Sequence, residues 1–160
     1  MNFKTEAQRL AWEKAREHLY RLFGEVNIQE VDDVLAMQEG STCVYVRAFP
    51  IGLEKAGIEI FSHVVSEVKI TEDLMRFLLE YNRKLILGAF GLAPGEDGNE
   101  GTVMLTRTLL GETLTREELY ATVSAVARVA DTVDDQLVER FGGRTALGKL
   151  AEGPPPERWE

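Results

Sequence analysis

The sequence predicts an α+β domain in which three helices pack against a five-stranded antiparallel sheet. The chain has 160 residues, enough for about one domain with its own hydrophobic core. Three stretches show the helical spacing of apolar residues, and the segments between them are rich in Val, Ile, Phe and Tyr. The connections between the strand-like runs are too short for parallel crossovers, so we predict the order α-β-β-β-α-β-β-α.

The first helix is predicted over residues 5–23. Thr5 is suited to cap its N-terminus, and Gln8 completes a capping box three residues later. Gly24 follows the last apolar pair, where a helix commonly ends. The apolar residues that recur at helical spacing form one stripe: Ala11, Trp12, Ala15, Leu19, Leu22 and Phe23.

Three strands are predicted next, over residues 33–38, 42–49 and 58–65, with Gly-containing turns between them. Side chains alternate between the two faces of a strand. In the second strand one face carries Cys43, Tyr45, Arg47 and Phe49, and the other carries Val44, Val46 and Ala48. Neither face is polar throughout, so we predict that both faces of the sheet are covered at least in part.

A second helix opens at Thr71, and Glu72 and Asp73 lie in its first turn, where the helix dipole favours acids. Its apolar residues cover most of the circumference, which predicts packing on both sides. Either the first helix folds over its outer side or a second copy of the protein covers it. We predict a partner or dimer interface made by Leu74, Met75, Phe77, Leu78, Leu79, Tyr81 and Ile86.

Asn82 falls inside this apolar arc, and a buried amide needs hydrogen-bond partners. We therefore predict that it ties the second helix to the neighbouring strand. Two further strands are predicted over 85–92 and 102–110, joined as a hairpin by a polar, glycine-rich loop. Thr115 opens the longest helix, which ends before Gly142.

The composition changes after the last helix. We predict one domain over residues 1–142 and a loosely held tail over 143–160 that contains few large apolar residues. Three consecutive prolines, Pro154 to Pro156, favour an extended polyproline conformation without internal hydrogen bonds. The tail is accordingly expected to be removable with little change in stability.

Net charge and cysteine content indicate which classes of partner the protein can bind and in which cellular compartment it lies. With 18 Lys and Arg against 27 Asp and Glu, the net charge is −9, and the sequence has no basic cluster that would attract phosphate groups. We therefore expect neither nucleic-acid nor membrane binding, and no apolar run is long enough to span a bilayer. The N-terminus is charged and Cys43 is the only cysteine, which predicts a cytoplasmic protein.

The residues that could carry chemistry are few. Asp131, Asp134 and Asp135 lie on one side of the last helix and could hold Mg²⁺, but no second acidic cluster faces them. Structural or solvated acids are the favoured interpretation. Cys43 lies within a strand beside apolar neighbours, as a buried small hydrophobe would. We predict no catalytic residue, no metal site and no cofactor.

Several short hydrophobic motifs resemble those of the YbjN-domain family, whose architecture is similar to that of the class I type III secretion chaperones. The resemblance runs over roughly residues 5–141 and rests on Leu78-Leu79-x-x-Asn82, Leu87-Gly88-Ala-Phe-Gly91-Leu92, Val103-Met104-Leu105 and Ala130-Asp131. It implies a homodimer with a surface that binds extended or unfolded segments of a partner. The proline-rich tail departs from the secretion chaperones.

Taken together, these observations predict a non-enzymatic, dimeric protein-binding module with a chaperone-like or regulatory role and an unidentified protein or peptide partner. Two alternatives stay open at this level. One is a Mg²⁺-dependent hydrolase that uses the acidic cluster of the last helix. The other is a structural subunit of a larger assembly.

Overall fold

The structure, a computed structural model, describes residues 1–145 and has the predicted α+β fold, three helices on an antiparallel sheet. The helices are α1 (Glu6–Phe23), α2 (Glu72–Asn82) and α3 (Arg116–Phe141), and a 3-10 turn spans Glu25–Asn27. The strands are β1 (Ile28–Val31), β2 (Val34–Glu39), β3 (Thr42–Ile51), β4 (Lys55–Lys69), β5 (Ala89–Pro94), β6 (Glu100–Leu110) and β7 (Arg144–Thr145).

Within residues 1–145 the sheet has seven strands, where the sequence predicts five. Their order is β1-β2-β3-β4-β6-β5, with β7 paired to β4, and all neighbours are antiparallel. The prediction misses β1 because three of its four side chains are exposed, so it lacks an apolar run. A two-residue turn joins it to β2, in which Asp32 adopts φ 56°. The other missed strand, β7, has only two residues.

The longest strand, β4, lies at the centre of the sheet. It pairs with β3 as far as Phe61, and beyond that point β7 takes the same edge at Val65 and Ser66. The opposite edge pairs with β6, with register shifts on either side of Val65. Gly143 leads the chain from α3 into β7 with φ 89°, and a Cβ there would lie 2.6 Å from the Ser66 carbonyl oxygen. Only glycine fits this approach.

The three helices share one face of the sheet, the face that carries Val44, Val46 and Ala48. Among residues 1–145, buried apolar side chains from all three helices, from the strands and from the turn at Leu114 form one continuous core there. The Gln8 amide donates to the Ala48 carbonyl at 3.0 Å, and the Trp12 indole donates to the Asp33 carbonyl at 2.8 Å, which fixes α1 on the sheet. Cys43 and Phe61 on the opposite face are also buried, but they lie outside this core.

The predicted helix starts are confirmed. Thr5, Thr71 and Thr115 each accept a hydrogen bond from the backbone N–H three residues later, at 3.1, 3.2 and 3.1 Å. This satisfies one of the N–H groups that a helix start leaves without an intrahelical partner. Within residues 1–145 no helix has the length and apolarity needed to cross a membrane.

The end of α2 also confirms the prediction for Asn82. Its amide group donates to the Phe90 carbonyl at 3.2 Å, and its Oδ1 accepts from the Phe90 N–H at 2.6 Å. Because the chain must turn back for Asn82 to meet Phe90, a turn separates the helix from β5. The strand therefore begins at Ala89, and the predicted start at Leu85 is wrong. The last part of the predicted tail, residues 146–160, lies outside the described residues.

Asn82→Ala should lower the free energy of unfolding by about 1–3 kcal/mol, because it leaves the Phe90 N–H and C=O without these partners. Urea denaturation measures this loss. Asn27→Ala is the matched control, since the Asn27 amide donates to the Phe23 carbonyl at an exposed site. Equal losses in the two variants would show that Asn82 does not anchor β5.

Candidate functional site: the outer side of α2 and the second face of the sheet

The seven residues of the predicted interface divide into three groups in the structure. Leu74 and Leu78 are buried in the core, with 0% and 3% of their surface exposed. They lie one turn apart and hold α2 against the sheet. These two side chains therefore fix the position of α2 and are too deeply buried to contact a partner themselves.

Phe77 and Tyr81 are half-buried between α2 and its neighbours. The Phe77 ring lies 5.6 Å from the ring of Phe141 on α3, and the Tyr81 ring lies 5.5 Å from Phe90 on β5, edge to face. The Arg140 guanidinium lies 5.3 Å from the centre of the Phe77 ring, within cation–π range. Sequence reasoning missed Arg140, because the periodicity of α3 does not show which helix its last turn meets.

Met75 and Leu79 form the outer side of α2, four residues apart and so on the same side. They are 42% and 69% exposed, although α1 was one candidate to cover them. Because α1 instead packs against β3, β4 and α3, it leaves this side open. Ile86 lies in the turn after the helix and is 93% exposed. We call Met75, Leu79 and Ile86 the α2 patch.

The second face of the sheet, opposite the helices, carries an aromatic cluster. The ring centres of Tyr45, Phe61 and His63 are 5.3 to 5.8 Å apart in all three pairs. The tip of the Phe49 ring lies against Gly57 on the neighbouring strand, where any Cβ would overlap it. Burial raises the pKa of the Cys43 thiol at the end of this face, which keeps the sulfur protonated and unreactive.

A buried ion pair crosses the same face. The Arg47 Nε on β3 lies 2.8 Å from the Glu59 carboxylate directly opposite on β4, and the two side chains are only 8% and 1% exposed. The guanidinium also lies 4.9 Å from the centre of the Phe61 ring. The sequence places Arg47 on this face, but the pairing depends on the strand register, which the turn between β3 and β4 sets.

Glu59→Leu should cost about 3–5 kcal/mol of unfolding free energy, because Arg47 would stay buried without its counter-charge. The double variant Arg47→Met, Glu59→Leu should recover most of that loss, since both charges are then gone. Arg76→Met, which breaks an exposed pair with Glu72, should cost less than about 1 kcal/mol. If Arg76→Met cost as much as Glu59→Leu, burial would not be the cause.

The acidic cluster of α3 contacts the turn between β2 and β3. The Ser41 hydroxyl is hydrogen-bonded to Asp131 and lies 3.3 Å from Oδ2 of Asp134, while Asp134 Oδ1 accepts from the Asp135 N–H at 2.7 Å. The part of the chain that the structure describes holds no group of three or more His, Cys, Asp or Glu arranged to bind a metal. Through Ser41, Asp131 and Asp134 hold α3 against the turn between β2 and β3.

Burial raises the pKa of Asp134, so its charged form is disfavoured in the fold. The stability that this carboxyl contributes is greatest below its unfolded pKa and is lost as the pH rises through the folded value. Asp134→Asn should therefore become more stable relative to the natural chain as the pH rises from about 3.8 towards neutrality. Denaturation of both chains across this range measures the difference.

The same two chains test the metal alternative. Millimolar Mg²⁺ should leave both melting temperatures unchanged, since a specific ligand would stabilise the folded state. A rise seen only in the natural chain would establish a metal site at Asp134. It would also contradict the anchoring role.

Comparison with known proteins places this geometry in a family. The family model described as T3SS (YopN, CesT) and YbjN peptide-binding chaperone 1 matches residues 13–149. The chain belongs to this family. The resemblance found in the sequence motifs is thereby confirmed.

Two solved structures share the fold at low sequence identity. YbjN from E. coli superposes with a TM-score of 0.56 at 14% identity, over 81% of this chain and 93% of that one. A chain of the ExsC–ExsE complex gives a TM-score of 0.52 at 19% identity, over 78% of this chain and 94% of that one. No curated protein sequence matches.

Proposed function

We propose that this protein is a non-enzymatic, homodimeric chaperone that binds an extended segment of a partner polypeptide in the cytoplasm. Membership of a peptide-binding chaperone family, matched over residues 13–149, is the observation that carries the proposal. The net charge of −9 favours a polypeptide partner over nucleic acid or an anionic membrane. The buried free thiol of Cys43 is consistent with a reducing compartment.

The α2 patch supports the dimer. Met75 and Leu79 are exposed on a helix whose opposite side is already packed in the core, so burial within one chain does not account for them. Closed symmetric pairing through the same patch on each copy is the commonest way to cover such a surface. In this arrangement Leu74, Phe77, Leu78 and Tyr81 hold the helix in place, and Met75, Leu79 and Ile86 make the contact between copies.

Sedimentation at micromolar concentration should therefore give about twice 17.9 kDa. Leu79→Glu and Met75→Glu should each lower the mass to that of one chain with an unchanged circular-dichroism spectrum, because a charge at the contact would be buried on pairing. The matched control is Leu53→Glu, which places the same charge on an 84% exposed leucine in the turn between β3 and β4. A monomer in the natural chain at all concentrations would contradict the dimer.

Peptide binding is measured separately, with a permanently unfolded probe. Reduced, carboxymethylated α-lactalbumin carrying a fluorophore should show a saturable rise in anisotropy with the natural chain. Native α-lactalbumin serves as the control and should show none. Equal responses to the two probes would contradict a chaperone-like function and would leave the test of the dimer unaffected.

A further inference from the structure

We propose that an extended segment of the partner polypeptide pairs as an added strand with the open edge of β6, and that a carboxylate of this segment meets Arg107. We call residues 107–110 the β6 edge. The inference names the place and the chemistry of the peptide binding proposed above, on which it rests. It does not depend on the dimer.

The β6 edge is open because β6 extends past the start of its outer neighbour. The pairing of β5 with β6 begins only at Ala89, opposite Thr106. Before Ala89 the chain comes from the turn after α2, and Gly88 there has φ 87°. Within residues 1–145, the part of β6 beyond Thr106 therefore has a neighbouring strand only on the β4 side.

The backbone groups of Thr108 and Leu110 point to this open side. In an antiparallel ladder, successive residues direct their N–H and C=O groups alternately to the two neighbouring strands. The Gly111 N–H donates to the Ala56 carbonyl at 2.8 Å, so residues 107 and 109 are the ones that bond to β4. Thr108 and Leu110 alternate with them and are both exposed. Their N–H and C=O groups are placed to pair with an added strand.

Other edges of the sheet are protected against such pairing. On β5 the Asn82 amide bonds both the N–H and the C=O of Phe90, and Pro94 has no N–H to donate. On β1 the Ile28 N–H donates to the Glu25 carbonyl. Natural proteins commonly block edge strands in such ways. The β6 edge, with two successive outward residues, lacks this protection within residues 1–145.

The cations at the β6 edge favour an acidic segment. Arg107 stands opposite Ile60, so its side chain lies on the helix-covered face. Its Nε is buried and has no hydrogen-bond partner within residues 1–145, which is costly for a polar group. Arg83 and Lys84 add two exposed cations in the turn that leads to β5. A carboxylate beside Arg107 would supply the missing acceptor in a charge-assisted hydrogen bond.

The other face of the β6 edge favours apolar side chains. Leu110 stands opposite Gly57, against which the Phe49 ring lies, and it is 53% exposed. Side chains of an added strand alternate between the two faces, as those of β6 do. The β6 edge therefore suits a segment in which apolar and acidic residues alternate, with the apolar ones beside Leu110 and an acid beside Arg107.

Fluorescence anisotropy with two labelled peptides tests this chemistry. A peptide of alternating valine and glutamate should bind the natural chain about tenfold more tightly than one of alternating valine and lysine. The net charge of −9 would by itself favour the lysine peptide, so the expected preference is specific to this edge. Arg107→Met should abolish the preference, and Arg128→Met, which removes an exposed arginine of α3, should keep it. Tighter binding of the lysine peptide by the natural chain would contradict the proposal.

Thr108→Pro tests the backbone pairing. It removes the outward N–H without breaking the ladder to β4 and should weaken binding of the glutamate peptide about tenfold. Thr108→Val keeps both the N–H and the branched shape and should bind as the natural chain does. Circular dichroism checks that both variants fold.

The same variants separate this inference from the proposed function. Reduced, carboxymethylated α-lactalbumin should also bind Thr108→Pro more weakly than Thr108→Val. Equal binding of this probe by the natural chain and both variants would overturn the β6 edge as the site and leave the proposed function standing. No binding by the natural chain would contradict the proposed function itself.

Amide hydrogen exchange shows what occupies the edge and needs no variant. The Thr108 and Leu110 amides should exchange rapidly in the free chain, and the glutamate peptide should slow them at least about tenfold. The Leu92 amide, which points outward from β5, is the control and should not respond. Slow exchange in the free chain at every concentration would mean that the chain covers its own edge. Slow exchange that is lost on dilution would mean that a second copy does, and either result would overturn the proposal.

Discussion

The pairing of β4 along both of its edges is the constraint on which the rest of the structure depends. This strand contacts β3 and then β7 on one edge and β6 on the other. Its alternating side chains therefore supply both the floor of the core, with Ile58 and Ile60, and the centre of the second face, with Glu59 and Phe61. A shift of one residue would exchange these two sets and place a buried carboxylate in the core.

The register of β4 also determines how charge is accommodated. Arg47 and Glu59 are partners only because they stand directly opposite each other, 2.8 Å apart, so that each buried charge has a counter-charge. The Phe61 ring lies within cation–π range of the guanidinium. The second face thus holds a buried ion pair and aromatic rings, whereas the helix-covered face is an apolar core.

The two surfaces that the helices leave open differ in kind. The α2 patch is a small group of exposed aliphatic side chains on a helix anchored from below, which suits symmetric contact with a second copy. The second face carries a cluster of aromatic rings on β3 and β4 beside the buried pair of Arg47 and Glu59.

Sequence patterns identify an element when the interactions that form it join residues close together in the chain. The three threonine caps, the stripe of α1 and the amide of Asn82 are predicted correctly, because each depends on residues three to eight positions apart. The strands β1 and β7 are not predicted, since one is largely exposed and the other is too short for a periodic pattern. The residues assigned to α2 extend past the helix, because α2 ends at Asn82 and Ile86 lies in the turn before β5.

The sequence by itself determined the fold class, the helix starts and the apolar stripes, because spacing along the chain decides which side chains share a face. Only the tertiary structure decided that Ser41 meets Asp131 and Asp134, that Arg47 meets Glu59, and that α1 leaves Met75 and Leu79 exposed. These contacts join residues far apart in sequence. Their geometry depends on strand register and helix placement, which no local pattern encodes.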